Sequence, residues 1–205
     1  RLYLNKMLNK DTLIVCNGFK TKIYTQRISK LANLDFNIMP VLDNMEELEA
    51  YENTIIYDCD LGIRIASEEQ PEFQLYTSRL GIRYKEIKDF YLNKIKPNPK
   101  FKLKMLHFFI NSGIKDNIYY WNELSKLLKV YVELKRVCPE LDSLNIGGGW
   151  PFRSSLGFEY DYAYMAEEIL NKIKQTCEEE NVSCPNIFTE FGSFTVAESG
   201  AFIFS

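Results

Sequence analysis

The sequence predicts an α/β fold in which short parallel strands alternate with helices along the chain. Six apolar runs have the length and residue content of buried strands, and segments with apolar residues at helical spacing lie between them. The chain has 205 residues, of which 46% are hydrophobic, so one domain with a sizeable core is expected. Strands that are joined through helices are expected to pair in parallel, with right-handed crossovers.

The first two strand–helix units are expected in the N-terminal quarter of the chain. Residues 12–16 have the apolar, β-branched composition of a buried strand, and residues 23–34 have helical spacing. Residues 36–42 are predicted to form the second strand. A short helix is expected to follow, with Asp43 or Asn44 as its N-cap, because both side chains accept hydrogen bonds from the free N–H groups at a helix start.

The middle of the chain is predicted to contain two further strands and one helix. Strand material is expected at residues 55–57 and 62–66, a helix at 84–95, and a strand at 101–110 that carries the single His. Residues 67–80 form a polar connection that is longer than most loops, which indicates a functional element. A solvated run of charged residues is the alternative interpretation.

The C-terminal part of the chain is predicted to add two more units. A long amphipathic helix is expected at 117–137, a strand at 144–146, a helix at 161–179 and a last strand that ends at Glu190. Six strands are fewer than the eight of a TIM barrel. The chain is therefore expected to form either an open sheet or a fragment of a (β/α)8-type barrel. Its first residue is Arg and its end is apolar, so we expect a piece of a longer protein.

The composition argues against several classes of partner. The net charge is −3 and no basic stripe occurs, so no nucleic-acid partner is expected. The five cysteines form no CxxC pair and the chain has one His, so no metal site is expected. Dispersed cysteines of this kind indicate reduced thiols and a cytoplasmic location. No apolar run is long enough to cross a bilayer, so no membrane partner is expected.

Two loops that follow neighbouring strands carry the strongest functional signal. Three glycines, Gly147, Gly148 and Gly149, come directly after one apolar strand, and Glu190 comes at the end of the next. Glycine permits positive φ and close approach of the backbone to a ligand, and successive free N–H groups in such a turn bind anions. A tight connecting turn is the structural alternative. Loops late in a (β/α)8 barrel commonly bind phosphate, so we expect a phosphate site here.

Six segments together match one known protein family in order and spacing. They are LIVCNGFK (13–20), GIRIAS (62–67), SRLG (78–81), LHFFINSG (106–113), LNIGGG (144–149) and TEFG (189–192). On these segments the chain resembles the pyridoxal-phosphate (PLP) decarboxylases with an alanine-racemase-like, fold type III barrel. Within them it looks most like the biosynthetic arginine decarboxylases.

The resemblance implies an architecture and an activity. Residues 1–205 are expected to be a partial PLP-binding barrel domain that covers roughly strands three to eight of a TIM (β/α)8-type barrel. The Lys that forms the Schiff base in the family is expected upstream of Arg1, and the substrate-side Cys and Asp are expected in a C-terminal β-domain beyond Ser205, so the catalytic residues of this chain stay unknown. The implied reaction is decarboxylation of arginine to agmatine in polyamine biosynthesis, by a homodimer or higher homo-oligomer.

Other functions stay open at this point. Another basic amino acid, such as ornithine or lysine, or a carboxylated polyamine is an alternative substrate within the family. A PLP-binding homologue without turnover is a second alternative. A sugar-phosphate enzyme on an unrelated barrel is a third, because it would also need a phosphate-binding glycine turn.

The resemblance assigns the main cofactor contacts residue by residue. Gly147, Gly148 and Gly149 match the loop whose amides hold the PLP phosphate, and Ser112 matches a second phosphate contact. Glu190 matches the acid that pairs with the pyridine nitrogen. A carboxylate there keeps the ring nitrogen protonated, and the protonated ring is the electron sink for decarboxylation.

Other matched positions include departures from the family pattern. Arg64 matches an active-site Arg, and Gly192 belongs to the motif that carries Glu190. Phe109 occupies the position of a His that stacks on the cofactor ring, so stacking is retained without a hydrogen bond. Asn111 stands where the family usually has Gly. Ser193 stands where it commonly has Arg, which removes a charge-assisted phosphate contact.

Arg64 and His107, which lie on predicted strands, also have a purely structural interpretation. Arg64 can equally form a buried ion pair with Asp58 or Asp60. His107 is expected to be a core His with a backbone hydrogen-bond partner rather than a catalyst.

Overall fold

Six parallel strands form a single sheet, and they lie side by side in the order in which they occur in the sequence. The computed structural model describes residues 9–67, 80–110, 114, 117–151, 159–196 and 199. The strands are β1 (Ile14–Cys16), β2 (Ile38–Leu42), β3 (Cys59–Arg64), β4 (Phe101–His107), β5 (Ser143–Asn145) and β6 (Asn186–Phe188).

Helices connect successive strands and cover one face of the sheet. Thr21 caps the first helix by accepting a hydrogen bond from the N–H of Tyr24, and Asp161 caps the fifth by accepting from the N–H of Tyr164. The helices are α1 (Lys22–Ala32), α2 (Glu47–Glu52), α3 (Tyr84–Phe90), which continues as a π-helical turn (Tyr91–Ile95), α4 (Asn117–Lys135), α5 (Tyr162–Glu179) and α6 (Gly192–Val196). None of the described helices is both long enough and apolar enough to cross a membrane.

The sheet curls into a half-barrel. Its concave face holds a small apolar cluster in which Val15 of β1 and Phe188 of β6 pack with Met39, Val41 and Met105 of the strands between them. Since β1 and β6 are the two ends of the sheet, they share one cluster only because the sheet is strongly curved. The prediction of a partial (β/α)8-type barrel is confirmed.

The main core lies between the convex face of the sheet and the helices. Side chains alternate between the two faces of each strand, so Leu61 and Ile63 of β3 face the helices while Gly62 faces the inside of the barrel. The predicted apolar side of α5 packs against this core through four buried residues, Met165, Ile169, Ile173 and Cys177.

The six predicted strands are all present, but some boundaries were wrong. Residues 55–57 do not form a strand, because the N–H of Ile55 donates to the carbonyl oxygen of Tyr51 and so ends α2. The third strand begins at Cys59 instead of residue 62. The short helix α6 was not predicted. Most of the polar connection at 67–80 lies outside the described residues.

Candidate functional site

Polar side chains stand at or just beyond the carboxyl end of every strand. Because all six strands are parallel, these ends meet at one rim of the half-barrel. The rim residues are Asn17 and Lys20 after β1, Asp43 after β2, Arg64 at the end of β3, His107 at the end of β4, Asn145 at the end of β5 and Glu190 after β6.

The three-glycine turn packs tightly between the ends of β4 and β6. Gly147 and Gly149 have φ values of 70° and 95°, which favour glycine. A Cβ on Gly147 would lie 2.6 Å from the carbonyl oxygen of Phe108, and one on Gly148 would overlap that of Glu190. The N–H of Glu190 donates to the carbonyl oxygen of Gly147 at 2.8 Å. Glycine at 147 and 148 is therefore required by the packing of the turn itself.

The same turn presents free hydrogen-bond donors. Within the described part of the chain, nothing accepts a hydrogen bond from the N–H of Gly148 or of Gly149, although Gly148 is buried. Buried backbone N–H groups are nearly always paired, so the N–H of Gly148 indicates a place for an acceptor outside the described residues, and the half-buried Gly149 adds a second donor beside it. Their arrangement in a positive-φ turn fits an anion such as a phosphate group.

Glu190 lies beside this turn with one of its carboxylate oxygens held and the other free. Its Oε1 accepts hydrogen bonds from Nδ2 of Asn17 and, at 2.7 Å, from Nδ2 of Asn145. No described residue donates to Oε2, and 40% of the side chain is exposed. The second oxygen is available to accept a hydrogen bond from a ligand, so the turn and Glu190 offer an anion-binding group and a hydrogen-bond acceptor at the same rim.

His107 lies beneath Glu190 as a neutral core residue. Burial, together with the positive charges of Arg64 and Lys20, lowers the pKa of His107 to about 3. Its Nε2 is 3.8 Å from Oε1 of Glu190, but this contact is not an ion pair because the imidazole is uncharged near neutral pH. Its expected core position is confirmed. The expected backbone partner was wrong, since neither ring nitrogen bonds to any described residue.

Arg64 points along the rim between two neighbouring strands. Its Nη1 lies 3.9 Å from Oδ1 of Asp43, and its guanidinium carbon is 5.7 Å from the centre of the Phe109 ring. The alternative of an ion pair with Asp58 or Asp60 does not hold, because β3 directs Arg64 to the rim, while Asp58 pairs with Lys102 at the opposite end of the strand. The cation therefore lies against the ring at the position matched to the stacking His.

Sequence reasoning missed a buried charge cluster formed by Lys20, Asp43 and Glu47. The ammonium group of Lys20 lies 3.3 Å from Oδ2 of Asp43 and 3.1 Å from Oε2 of Glu47, and it also donates to the carbonyl oxygens of Gly18 and Val41. The Lys20 and Asp43 side chains are 0% exposed. The signal available in the sequence was the position of Lys20 and Asp43, since each follows closely after an apolar strand.

Replacing Lys20 with methionine is expected to destabilise the full-length protein by about 3–5 kcal/mol, because it removes the ammonium group that lies between the buried carboxylates of Asp43 and Glu47. The free energy of unfolding, measured by urea denaturation, checks this. Lys102→Met is the matched control, because its pair with Asp58 is largely exposed and is worth less than about 1 kcal/mol. Equal effects of the two substitutions would contradict the assigned role of Lys20.

Aromatic rings connect the residues that follow the turn and Glu190. Trp150 stacks on Tyr162 with ring centres 5.6 Å apart, and it packs against Phe191 at 4.7 Å. The hydroxyl of Tyr162 donates to the carbonyl oxygen of Pro151. This cluster, which the sequence analysis did not identify, fixes the segment after Gly149 against the segment after Glu190.

The structure brings together most of the residues predicted for the cofactor site. Arg64, Phe109, the three glycines and Glu190 all lie at the carboxyl rim. Gly192 lies at the start of α6, where a Cβ would meet nothing within 4 Å. Ser112 and Asn111 lie outside the described residues. No group of three or more metal-binding side chains occurs among the residues that the structure describes.

Comparison with known families defines the class of this protein. Residues 3–197 match the family model described as pyridoxal-dependent decarboxylase, pyridoxal binding domain. The chain therefore belongs to the pyridoxal-dependent decarboxylase family. This membership removes the alternative of a sugar-phosphate enzyme on an unrelated barrel.

Two of the relatives are named biosynthetic arginine decarboxylases. The biosynthetic arginine decarboxylase of Citrifermentans bemidjiense is 28% identical over 90% of this chain and 31% of its own length. The crystal structure of the biosynthetic arginine decarboxylase of Campylobacter jejuni superposes with a TM-score of 0.73 at 23% identity, covering 91% of this chain and 32% of that one.

A lysine decarboxylase has the same fold. The enzyme of Selenomonas ruminantium superposes with a TM-score of 0.73 at 18% identity and covers 94% of this chain and 47% of its own. The present chain spans about a third of the length of the curated relatives that it matches.

Proposed function

We propose that this chain is the larger part of the PLP-binding barrel of an amino-acid decarboxylase that converts arginine to agmatine in polyamine biosynthesis. The observation that carries the proposal is that the N–H groups of Gly148 and Gly149 and the Oε2 atom of Glu190 lie at one rim and have no hydrogen-bond partner among the described residues. Support for arginine comes from the curated relatives, which are named biosynthetic arginine decarboxylases.

The residues of the rim have distinct roles in this proposal. The N–H groups of Gly148 and Gly149 bind the phosphate, with Ser112 as a further contact, and the face of Phe109 covers the ring. Glu190 accepts a hydrogen bond from the ring nitrogen and keeps it protonated. When bound, PLP supplies the electron sink that stabilises the charge left by departing CO2. His107 stays neutral and so does not compete for the carboxylate of Glu190.

The rest of the enzyme lies outside this chain in our proposal. Two preceding strand–helix units close the barrel and provide the Schiff-base Lys, and a following β-domain contributes to the substrate side. We place the assembled enzyme in the cytoplasm as a homodimer or larger homo-oligomer. The substrate is a small amino acid, with lysine, ornithine and carboxylated polyamines as alternatives to arginine.

Phe109 favours one further candidate, a PLP-binding homologue without turnover. A phenyl ring stacks on the cofactor but cannot exchange a proton or donate a hydrogen bond, unlike the His that it replaces. Ser193 adds to this candidate, because it offers no charge to the phosphate.

The test is PLP titration of the full-length protein, followed by CO2-release assays with arginine, ornithine and lysine. We expect PLP to bind and kcat/KM to be highest for arginine. PLP binding without CO2 release from any of the three would support the non-catalytic homologue. Failure to bind PLP would refute the proposed cofactor site.

A further inference from the structure

Asn145 contacts both halves of the candidate cofactor site through the two ends of one amide. It is the last residue of β5 and is 2% exposed. Its Oδ1 accepts a hydrogen bond from the N–H of Gly147 at 2.9 Å, and its Nδ2 donates to Oε1 of Glu190 at 2.7 Å. One rigid side chain thus joins the glycine turn to the carboxylate.

The chemistry of the two partners requires this orientation of the amide. If the group were rotated, its oxygen would face the carboxylate of Glu190, and its NH2 group would face the N–H of Gly147. Both contacts would then be repulsive. Only an amide offers an acceptor on one side and a donor on the other at this size, since an ionised aspartate has no donor and an apolar residue has neither.

The position of Asn145 also determines which oxygen of Glu190 is free. Asn17, directly after β1, reaches Oε1 from the far end of the sheet, so the amide groups of Asn17 and Asn145 converge on the same oxygen. A carboxylate held in this way cannot rotate without losing both hydrogen bonds. Both asparagines donate to Oε1 and no described residue donates to Oε2, so Oε2 is the oxygen left to accept a hydrogen bond, in a side chain that is 40% exposed.

We infer that Asn145 is a positioning residue that sets the anion-binding turn and the carboxylate of Glu190 at a fixed separation and orientation. This inference rests on the proposed function, because it assigns the turn to the phosphate and Glu190 to the ring nitrogen of PLP. Asn145 itself touches neither group. It acts through its hydrogen bonds to Gly147 and Glu190.

The test compares Asn145→Asp with Asn145→Asp/Glu190→Gln in the full-length protein. The aspartate keeps the acceptor for Gly147 but places a second carboxylate against Glu190, and like charges at this distance repel. We expect the thermal midpoint of the PLP-free protein to fall and the dissociation constant for PLP to rise at least about tenfold. In the double variant the amide introduced at position 190 can donate to the carboxylate introduced at position 145, although its NH2 group then loses the hydrogen bond from Asn17, so part of the lost thermal stability is expected to return.

Ser143→Ala is the matched control, because Ser143 lies on the same strand, is similarly buried, and among the described residues its hydroxyl bonds only to its neighbour Asp142. It is expected to leave PLP affinity unchanged. An equal loss of thermal stability from Asn145→Asp in the wild-type and Glu190→Gln backgrounds would overturn the inference. That readout needs no cofactor, so it stays distinct from failure of the proposed function, which would appear as absence of PLP binding in the wild type.

Discussion

Replacing Glu190 with alanine in the full-length enzyme is expected to reduce kcat for CO2 release by about a hundredfold or more while PLP remains bound. In the function proposed above, this carboxylate keeps the cofactor ring nitrogen protonated, so its loss is expected to weaken the electron sink. The backbone of residue 190 still donates to Gly147, and the free N–H groups of the glycine turn are unchanged. The phosphate contacts are therefore expected to persist.

Two measurements check this result, the rate of CO2 release and a PLP titration. Glu190→Gln is a sharper second variant, since it retains the size of the side chain and can still accept from Asn17 and Asn145. Its free end, however, is a donor instead of an acceptor. It is expected to be as slow as the alanine variant. Turnover of either variant within a few-fold of wild type would rule out the assigned role of Glu190.

Replacing Gly148 with valine is expected to weaken PLP binding by about tenfold or more and to destabilise the cofactor-free protein by about 1–3 kcal/mol. The sequence alone suggested that a side chain here would block the approach of the phosphate. The structure adds a more direct reason, because a Cβ at this position would overlap the carbonyl oxygen of Glu190. The glycine turn and the backbone of Glu190 must then move apart to make room for the side chain.

The unfolding free energy of the cofactor-free protein separates these two reasons. If Gly148 served only the approach of a ligand, that free energy would be unchanged. Gly192→Ala is the control for replacing a glycine in this region, because its added Cβ meets nothing within 4 Å and its stability is expected to match wild type. Unchanged PLP affinity and unchanged stability of Gly148→Val would contradict the packing described for the turn.

Most of the fold was predictable because its signals are local. Apolar strands and amphipathic helices have different periods, and each of the six strands was found from its own residues. The error at residues 55–57 has a physical cause. Ile56 and Tyr57 have strand-like side chains, yet they are 71% and 61% exposed and pair with no strand among the described residues. The composition of a segment cannot show whether a neighbouring strand is available to pair with it.

The candidate site was predictable only in part, for the opposite reason. The glycines and Glu190 carry recognisable local chemistry, whereas the partners of Glu190 come from β1 and β5 and depend on how the sheet curves. The partner of Arg64 likewise depends on the neighbouring strand, which places Asp43 at the same rim. Asn17, Lys20, Asp43 and Asn145 became identifiable as site residues only when the strand ends were placed side by side.

The hydrogen bond between Asn17 and Glu190 has a consequence for folding. The two residues are 173 positions apart, so the bond closes nearly the whole described chain into one loop, and its entropic cost is met only when the strands between have docked. The hydrogen bond from Asn17 to Glu190 is therefore expected to form late in folding, and no segment shorter than residues 17–190 contains both partners. A ligand that needs Glu190 in place binds the complete sheet and not its parts, so it stabilises the whole half-barrel by mass action.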